Sequence, residues 1–451
     1  MTEEKFPDYN KEYSNSFCVY PWVSLMVNTS GTLNYCCIAK PGILRDEKQR
    51  QLTLGNSTLQ EGWNSPRMKE LRKMMVKGDI IDECEHCFLQ EKIGKKSFRE
   101  MHNDEWTRKL GEDEIHRRVK EASDNDYKMT SDPVYLDLRL SNLCNLKCRM
   151  CSPHNSSQIA KEHKKLFDKN DDYTDVWKKT WGDNLNWFTD KGYVKQFYSD
   201  NLWEDAKKWI PGLRKIYITG GEPTLIKHNT DFLGECIKQG YADKIEIFLN
   251  TNCTNINEAF LEIIKQFSNV VINASLDGIG KTNEYIRYPS NWNDLEINYL
   301  DMLNLPNVWS NATPVLQIYN LDTIHEVFHY ADKMSDQLYG ADNTKTIGVD
   351  ILINTHPAFL DVRNLPVEWR QGCKNELLEF KEEYTLYDKN FIASNSIDGI
   401  VNYLDLPQLD AYKENLTDFI KMTDIQDNTR KQNFADLNPS LYKRIKELVN
   451  D

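Results

Sequence analysis

Between residues 131 and 358 the apolar positions come in short runs of strand length, separated by longer amphipathic stretches. Six runs read as strands: VYLDLRL (134–140), LRKIYITG (213–220), KIEIFLN (244–250), VVINASL (270–276), ATPVLQIY (312–319) and IGVDILI (347–353). Between them, TDFLGECIKQG (230–240) and NEAFLEIIKQF (257–267) place apolar residues three and four apart, the spacing of a helix with one buried face. This alternation predicts an α/β fold: a parallel sheet covered by helices and curved into an incomplete (β/α)6 barrel of the TIM-like kind. Right-handed crossovers gather the segments that follow the strands on one rim. The first crossover, 153–212, is long and Trp-rich and predicts extra helices, arranged as a cap over that rim.

The flanks read differently. In region 1–125, PRMKELRKMMVKG predicts a helix that starts at Pro66 and stops at Gly78. Ahead of it, FCVYPWVSLMVNTSGTLNYCC alternates enough for a hairpin with Ser30 and Gly31 at the turn. The charged stretch 102–128 reads as a solvated helix and linker. Region 359–451 is mainly helical, with apolar residues three and four apart in GCKNELLEFKEEYTLYDKN, LPQLDAYKENLTDFIKMT and PSLYKRIKELVN.

A length of 451 residues is too great for one ordinary core and fits these three regions, 1–125, 131–358 and 359–451. A net charge of −13 argues against non-specific binding to nucleic acid or to an anionic membrane. No apolar run approaches the roughly 20 residues that span a bilayer, and MTEEKFPDYNKEYSNS lacks the pattern of a secretory signal. A cytoplasmic protein is the expectation. Eleven cysteines, an odd number, include two Cys-x2-Cys pairs, which suit metal or cluster ligation in a reducing compartment. Cys236, Cys253 and Cys373 stand apart and read as core thiols.

Chemistry concentrates in LRLSNLCNLKCRMCSP, which leaves the first strand and supplies Cys144, Cys148 and Cys151. Three sulfurs this close can wrap one face of an iron–sulfur cube, and without a fourth nearby cysteine one iron stays open to a small ligand. The residues alone also allow a zinc site completed by His154 or a distant ligand. Cys-x3-Cys-x2-Cys just after a strand resembles the signature of the radical SAM family. The resemblance implies a [4Fe–4S] cluster whose open iron binds the amino and carboxylate groups of S-adenosylmethionine. It further implies cleavage of that cofactor to methionine and a 5′-deoxyadenosyl radical, with an external low-potential electron donor.

Other segments extend the resemblance. ITGGEPTL is similar to the family's Gly-Gly-Glu-Pro motif: Gly220 and Gly221 allow close backbone approach, Glu222 accepts from the ammonium of S-adenosylmethionine, and Pro223 stiffens the turn. NASLDG resembles the family's Ser-x-Asp-Gly segment, which implies cofactor contacts for Ser275 and Asp277, with Arg287 as an accompanying arginine. Asn250 and Asn252 belong to the same rim, and Gln317 and Asn320 resemble positions that meet adenosine or substrate. IGVDIL lacks the family's glycine-rich form at the last strand. For each polar residue the plainer alternative is a loop-stabilising role.

In the first region, Cys18, Cys36, Cys84 and Cys87 can enclose one metal centre once the hairpin closes. Cys-x12-Gly-x4-Cys followed by Cys-x2-Cys resembles the auxiliary-cluster domain of SPASM-type maturases in its shorter twitch form, here preceding the core rather than following it. This implies a second, auxiliary [4Fe–4S] cluster, whose four thiolates would leave it to carry electrons or organise the pocket. Four sulfurs also form an acceptable zinc set, and Cys37 either replaces Cys36 or stays free. The maturase resemblance points to a peptide or protein substrate. A small-molecule substrate and a non-catalytic iron–sulfur or zinc scaffold are the rival readings.

Overall fold

The computed structural model describes residues 15–92, 96–182, 200–340, 345–385 and 391–450. Most of MTEEKFPDYNKEYSNS, the 183–199 part of the first crossover and the end of GCKNELLEFKEEYTLYDKN lie outside the described residues. The described residues form ten strands: β1 (Ser24–Val27), β2 (Leu33–Asn34), β3 (Tyr135–Leu140), β4 (Lys215–Gly220), β5 (Glu246–Thr251), β6 (Asn269–Ala274), β7 (Val308–Ala312), β8 (Val315–Leu316), β9 (Gly348–Val349) and β10 (Leu352–Ile353). The main sheet runs β2-β1-β3-β4-β5-β6-β7-β9, parallel throughout except for β2 at its edge. Flanked by helices, it forms a partial (β/α) barrel followed by a largely helical C-terminal region.

Because side chains alternate across a strand, the strands of the sheet present two different faces. Leu136, Leu138, Leu140, Ile216, Ile218, Ile247, Leu249, Val270 and Ile272 are buried in the core. The opposite row carries Asp137 and Arg139 on β3 and an asparagine ladder across β5, β6 and β7. Asn273 Nδ2 donates to Asn250 Oδ1 at 2.8 Å, and Asn311 Nδ2 donates to Asn273 Oδ1 at 3.2 Å.

That polar row displaces the fifth predicted strand. The main sheet uses Val308–Ala312, which precedes most of ATPVLQIY, because Asn311 belongs to the ladder and Ser310 is bonded to Tyr299 at 2.7 Å. Pro314 has no N–H for a sheet ladder. Beyond it, β8 pairs with β10 in a separate two-stranded sheet.

The N-terminal hairpin forms around the turn at Asn28–Thr32, with Val27 opposite Leu33. Its first strand pairs with β3, so residues of the first region extend the core sheet. The helix Pro66–Lys77 begins at an Ser65 cap, which accepts from Met68 N at 3.3 Å, and ends on Gly78 at φ 82°. Arg72, on its buried face, donates to the carbonyls of Pro21, Trp63 and Tyr127.

The charged 102–128 stretch is not a solvated linker. It forms much of the helices Phe98–Leu110 and Glu112–Asp124, and Trp106, Ile115, Val119 and Ala122 make a buried stripe along them. The first helix lies against the starts of the strands. Glu105 bonds Lys215 of β4 at 2.7 Å and His102 at 2.9 Å, and Lys109 pairs with Glu246 of β5 at 2.5 Å. Burial alone would raise the Glu105 carboxyl, but His102 and Lys215 hold it near 2, below its ordinary 4.5. A depressed carboxyl contributes stability above its unfolded value and loses it as pH falls from about 4.5 towards 2. Glu105→Gln is therefore expected to cost about 3 kcal/mol at pH 7 and almost nothing near pH 2, read from urea midpoints at the two pH values.

Candidate functional site

The C-terminal ends of β3 to β7 form one rim, opposite the end covered by the helix Phe98–Leu110. Cys144, Cys148 and Cys151 follow β3 in a loop that folds back on itself. Asn142 Nδ2 donates to Pro153 O at 2.8 Å, Ser156 Oγ donates to Leu146 O at 2.7 Å, and Cys144 N donates to Ser157 Oγ at 3.3 Å. The loop is also zipped to a second segment: Lys147 N donates to Tyr288 O at 2.6 Å and Arg149 N to Ile286 O at 2.9 Å. Together the three cysteines make a small cluster with Leu146 and Met150.

Burial pushes the Cys144 thiol up to about 12, with Cys148 adding to the rise, and it raises Cys148 and Cys151 as well. Each protonated thiol is thus a latent anion that needs a positive centre before it ionises. Arg287 opposes the rise at Cys148, which its Nη1 approaches to 3.9 Å.

The Gly220–Pro223 turn docks onto this loop through backbone. Gly221 N donates to Ser141 O at 3.1 Å and Glu222 N to Leu143 O at 2.7 Å. A Cβ on Gly221 would lie 2.2 Å from Leu143 O, and Gly220 sits at φ 124°, where glycine is favoured. Pro223 opens a 3-10 turn behind them. Glu222 is 1 % exposed. Its Oε1 accepts from Thr224 N, Thr224 Oγ1 and Thr251 Oγ1, and its Oε2 accepts from Asn252 N. Oε1 is crowded, and Oε2 keeps a lone pair for another donor. Burial nevertheless raises its carboxyl above the usual range. Asn252 ties the same neighbourhood to the cysteine loop, donating from Nδ2 to Asn145 Oδ1 at 3.0 Å.

Asp277, fully buried, holds Arg287 through an Nε–Oδ2 contact of 2.7 Å and accepts from Val315 N at 2.8 Å. It thereby orients the guanidinium that faces Cys148. Asn320 donates to Asp277 O at 2.8 Å and to Val315 O at 3.0 Å, and its Oδ1 accepts from Gln317 N, which makes it a loop tie. Gln317 donates from Nε2 to Val315 O at 3.3 Å, but its buried Oε1 has no partner among the described residues. Beside β8, Asn354 donates its backbone N–H to Leu316 O at 3.2 Å while its buried Nδ2 likewise has none among them. Ser275 is half-buried at the end of β6, and its N–H bonds Thr251 O at 2.9 Å. Asn250 lies on β5 in the asparagine ladder.

In the first region Cys18, Cys36, Cys84 and Cys87 line one cavity together with Tyr20, Tyr35, Phe98 and Arg99. Burial drives Cys18 and Cys84 up to about 12, each pushed further by neighbouring thiols of the group, and also raises Cys87. Cys36 rises chiefly because its thiol bonds Cys37. Cys37 does not line that cavity. It lies against Arg139 on the polar side of β3, and the bond from Cys36, helped by Arg139, brings its thiol down to about 7. Among the described residues no three Cys, His, Asp or Glu side chains converge on a point that suits a single metal ion.

Residues 138–331 match the family model described as the radical SAM superfamily. The chain is a radical SAM superfamily protein. Residues 18–88 match the iron–sulfur cluster-binding domain model, SPASM, so the radical SAM core follows an N-terminal SPASM-like auxiliary domain. No curated protein matches. Among solved structures, "Native anSMEcpe with bound AdoMet" is 16% identical, covers 56% of this chain and 61% of its own, and gives a TM-score of 0.37. SuiB of Streptococcus suis is 13% identical with a TM-score of 0.37, covering 82% of this chain and 69% of its own. Its complex with the precursor peptide SuiA gives 14% identity, coverages of 68% and 59%, and a TM-score of 0.32. The chain thus spans about three-fifths of the length of the first of these structures.

Family membership implies iron–sulfur and S-adenosylmethionine binding in general terms. The donor sets fit: two groups of buried and half-buried thiols, their ionisation held back by burial, await positive charge. No helix among the described residues is long and apolar enough to cross a membrane. Sequence reasoning passed over several residues bonded into the asparagine ladder, the cysteine loop and the segment beside β8: Asn273, Asn311, Asn354, Lys147 and Arg149. Only Arg149 carried a local signal, a charged side chain inside an otherwise apolar Cys-Arg-Met-Cys run.

Proposed function

We propose that this protein is a radical S-adenosylmethionine enzyme that removes a hydrogen atom from an unactivated carbon of a peptide or protein. The observation that carries the reading is the docking of Gly221 and Glu222 backbone onto the loop of Cys144, Cys148 and Cys151. It joins three thiols to a buried carboxylate, in a loop that carries no fourth cysteine. When bound there, a [4Fe–4S] cluster supplies the electron that splits S-adenosylmethionine into methionine and a 5′-deoxyadenosyl radical.

The chain's own residues then divide the remaining tasks. Cys144, Cys148 and Cys151 would be the protein ligands that hold the cluster. Glu222 Oε2 accepts from the cofactor's ammonium, and Ser275 meets its carboxylate or ribose. Gln317 Oε1 and Asn354 Nδ2 offer the acceptor and donor that an adenine edge requires. Arg287 holds positive charge beside Cys148, oriented by Asp277. Asn250 opens the asparagine ladder to the same rim. Asn320 supports Asp277 and β8 rather than meeting the ligand directly.

Cys18, Cys36, Cys84 and Cys87 would hold a second [4Fe–4S] cluster, which would carry electrons or organise the pocket. Zinc is the competing occupant, since four thiolates satisfy it as well. An external low-potential donor reduces the protein, and the site works in the cytoplasm. The domain limits 1–125, 131–358 and 359–451 serve this division, although β1 crosses into the core sheet. A peptide or protein substrate is supported by the pairing of a SPASM-like domain with the radical core.

Anaerobic reconstitution followed by S-adenosylmethionine and a strong reductant is expected to yield 5′-deoxyadenosine and methionine in equal amounts. Full cluster loading with neither product, with or without candidate peptides, contradicts the reading. Cys84→Ala combined with Cys87→Ala is expected to lower iron from about eight to about four per chain. Stoichiometric zinc in the unaltered protein overturns the auxiliary cluster.

A further inference from the structure

Two side chains flank Cys148, and both run to the same helix end in the C-terminal region. Arg149 is wholly buried and forms an ion pair with Asp427 of the helix Tyr412–Arg430. Its guanidinium also donates to Gln426 Oε1 at 3.3 Å, to Gln432 Oε1 at 3.1 Å and to Tyr285 O at 3.1 Å. It stacks over Tyr285 at 3.7 Å. Asp427 completes its bonding with Tyr285 Oη at 2.9 Å and Phe434 N at 2.7 Å.

On the other side of Cys148, Lys147 reaches Glu162 at 3.2 Å. Glu162 is gripped in turn by Arg430, at 2.6 Å and 3.2 Å, with both side chains almost fully buried. Asp427 and Arg430 lie one turn apart, and both fall outside the segments that match the family models. Buried ion pairs contribute little net stability, but losing one partner strands an uncompensated charge, so they fix geometry strongly. Tyr285, Ile286 and Tyr288 take part in the same network, as does Arg287, which faces the Cys148 thiol.

We infer that the last turn of the helix Tyr412–Arg430 positions Cys148, Asp427 acting through Arg149 and Arg430 acting through Glu162 and Lys147. The C-terminal region is thus part of the cluster centre, and Asp427 and Arg430 are positioning residues that set how the middle thiol meets its iron. This rests on the reading that Cys144, Cys148 and Cys151 hold a cluster.

The test uses the full chain carrying Cys84→Ala and Cys87→Ala, so that the remaining iron reports the cluster loop alone. In that background Asp427→Asn keeps the shape and removes the charge. The pair Arg149→Met with Asp427→Leu removes both charges and strands neither. Both variants are expected to retain about four irons per chain. The electron paramagnetic resonance spectrum of the reduced cluster is expected to change, its midpoint potential to shift, and 5′-deoxyadenosine formation to fall about 10- to 100-fold. A purely stabilising role predicts instead that the apolar pair restores parental thermal stability, spectrum and potential together. Parental spectra and potentials in either folded variant overturn the inference while leaving the cluster assignment intact. A parent background that binds no iron overturns both.

Discussion

Replacing Cys148 with alanine is expected to abolish 5′-deoxyadenosine formation and to remove about four of eight irons per chain. Cys148 is the middle of the three thiols, the one facing Arg287 and held from both sides by backbone bonds to Tyr288 and Ile286. Two thiolates cannot hold a cube and also present an open iron in a fixed direction. The four irons that remain belong to the N-terminal thiols, whose cavity is lined by Cys18, Cys36, Cys84 and Cys87. Cys236→Ala is the matched control. This thiol is buried on the helix Lys227–Lys238 and belongs neither to the cysteine loop's cluster nor to the lining of the N-terminal cavity, and its loss leaves iron content and product formation unchanged. Iron analysis and product chromatography on the two variants check the pair of outcomes.

Gly221→Ala is the second large effect. The added methyl would stand 2.2 Å from Leu143 O and 2.6 Å from Leu143 C, and these are backbone atoms of the cysteine loop itself. A flexible side chain could swing aside, but a carbonyl held by Glu222 N at 2.7 Å moves only if the loop moves. Overpacking of this kind costs about 1–3 kcal/mol. The larger consequence is positional, because a shift of about 1 Å between Glu222 and the thiols is enough to lower the rate about 100-fold. Gly234→Ala gives the opposite sign. It lies inside the helix Lys227–Lys238 with nothing within 4 Å of a new Cβ, so alanine there stabilises by about 0.5–1 kcal/mol without affecting turnover. Denaturation midpoints and initial rates on both variants distinguish a local clash from a general response to glycine loss.

The contrast between those two glycines shows what was legible in the sequence. Gly220-Gly221-Glu222-Pro223 and the cysteine run are contiguous, so their meaning travels with their spacing. The strands of the barrel were equally readable where one row was apolar, as in Leu136, Leu138 and Leu140. Reading failed where the inner row turned polar. β7 carries Ser310 and Asn311, while the more apolar ATPVLQIY drew the strand assignment although Pro314 divides it. The charged 102–128 stretch misled for the converse reason: its charges pair with Lys215 and Glu246 across more than a hundred residues, which local periodicity does not reveal. Asp427 and Arg430 were invisible on the same grounds. In a polar helix sequence they look like solvent-facing charge, and only the fold brings them to Arg149 and Glu162, more than 260 residues earlier in the chain.

The most direct measurement follows the reduced cluster by electron paramagnetic resonance in the chain carrying Cys84→Ala and Cys87→Ala, before and after S-adenosylmethionine is added. An iron that no side chain caps will take the cofactor's amino and carboxylate groups, so the spectrum must change on addition and the signal must decay as 5′-deoxyadenosine accumulates. A spectrum indifferent to the cofactor, with a fourth protein ligand on the remaining iron, contradicts the account at its root.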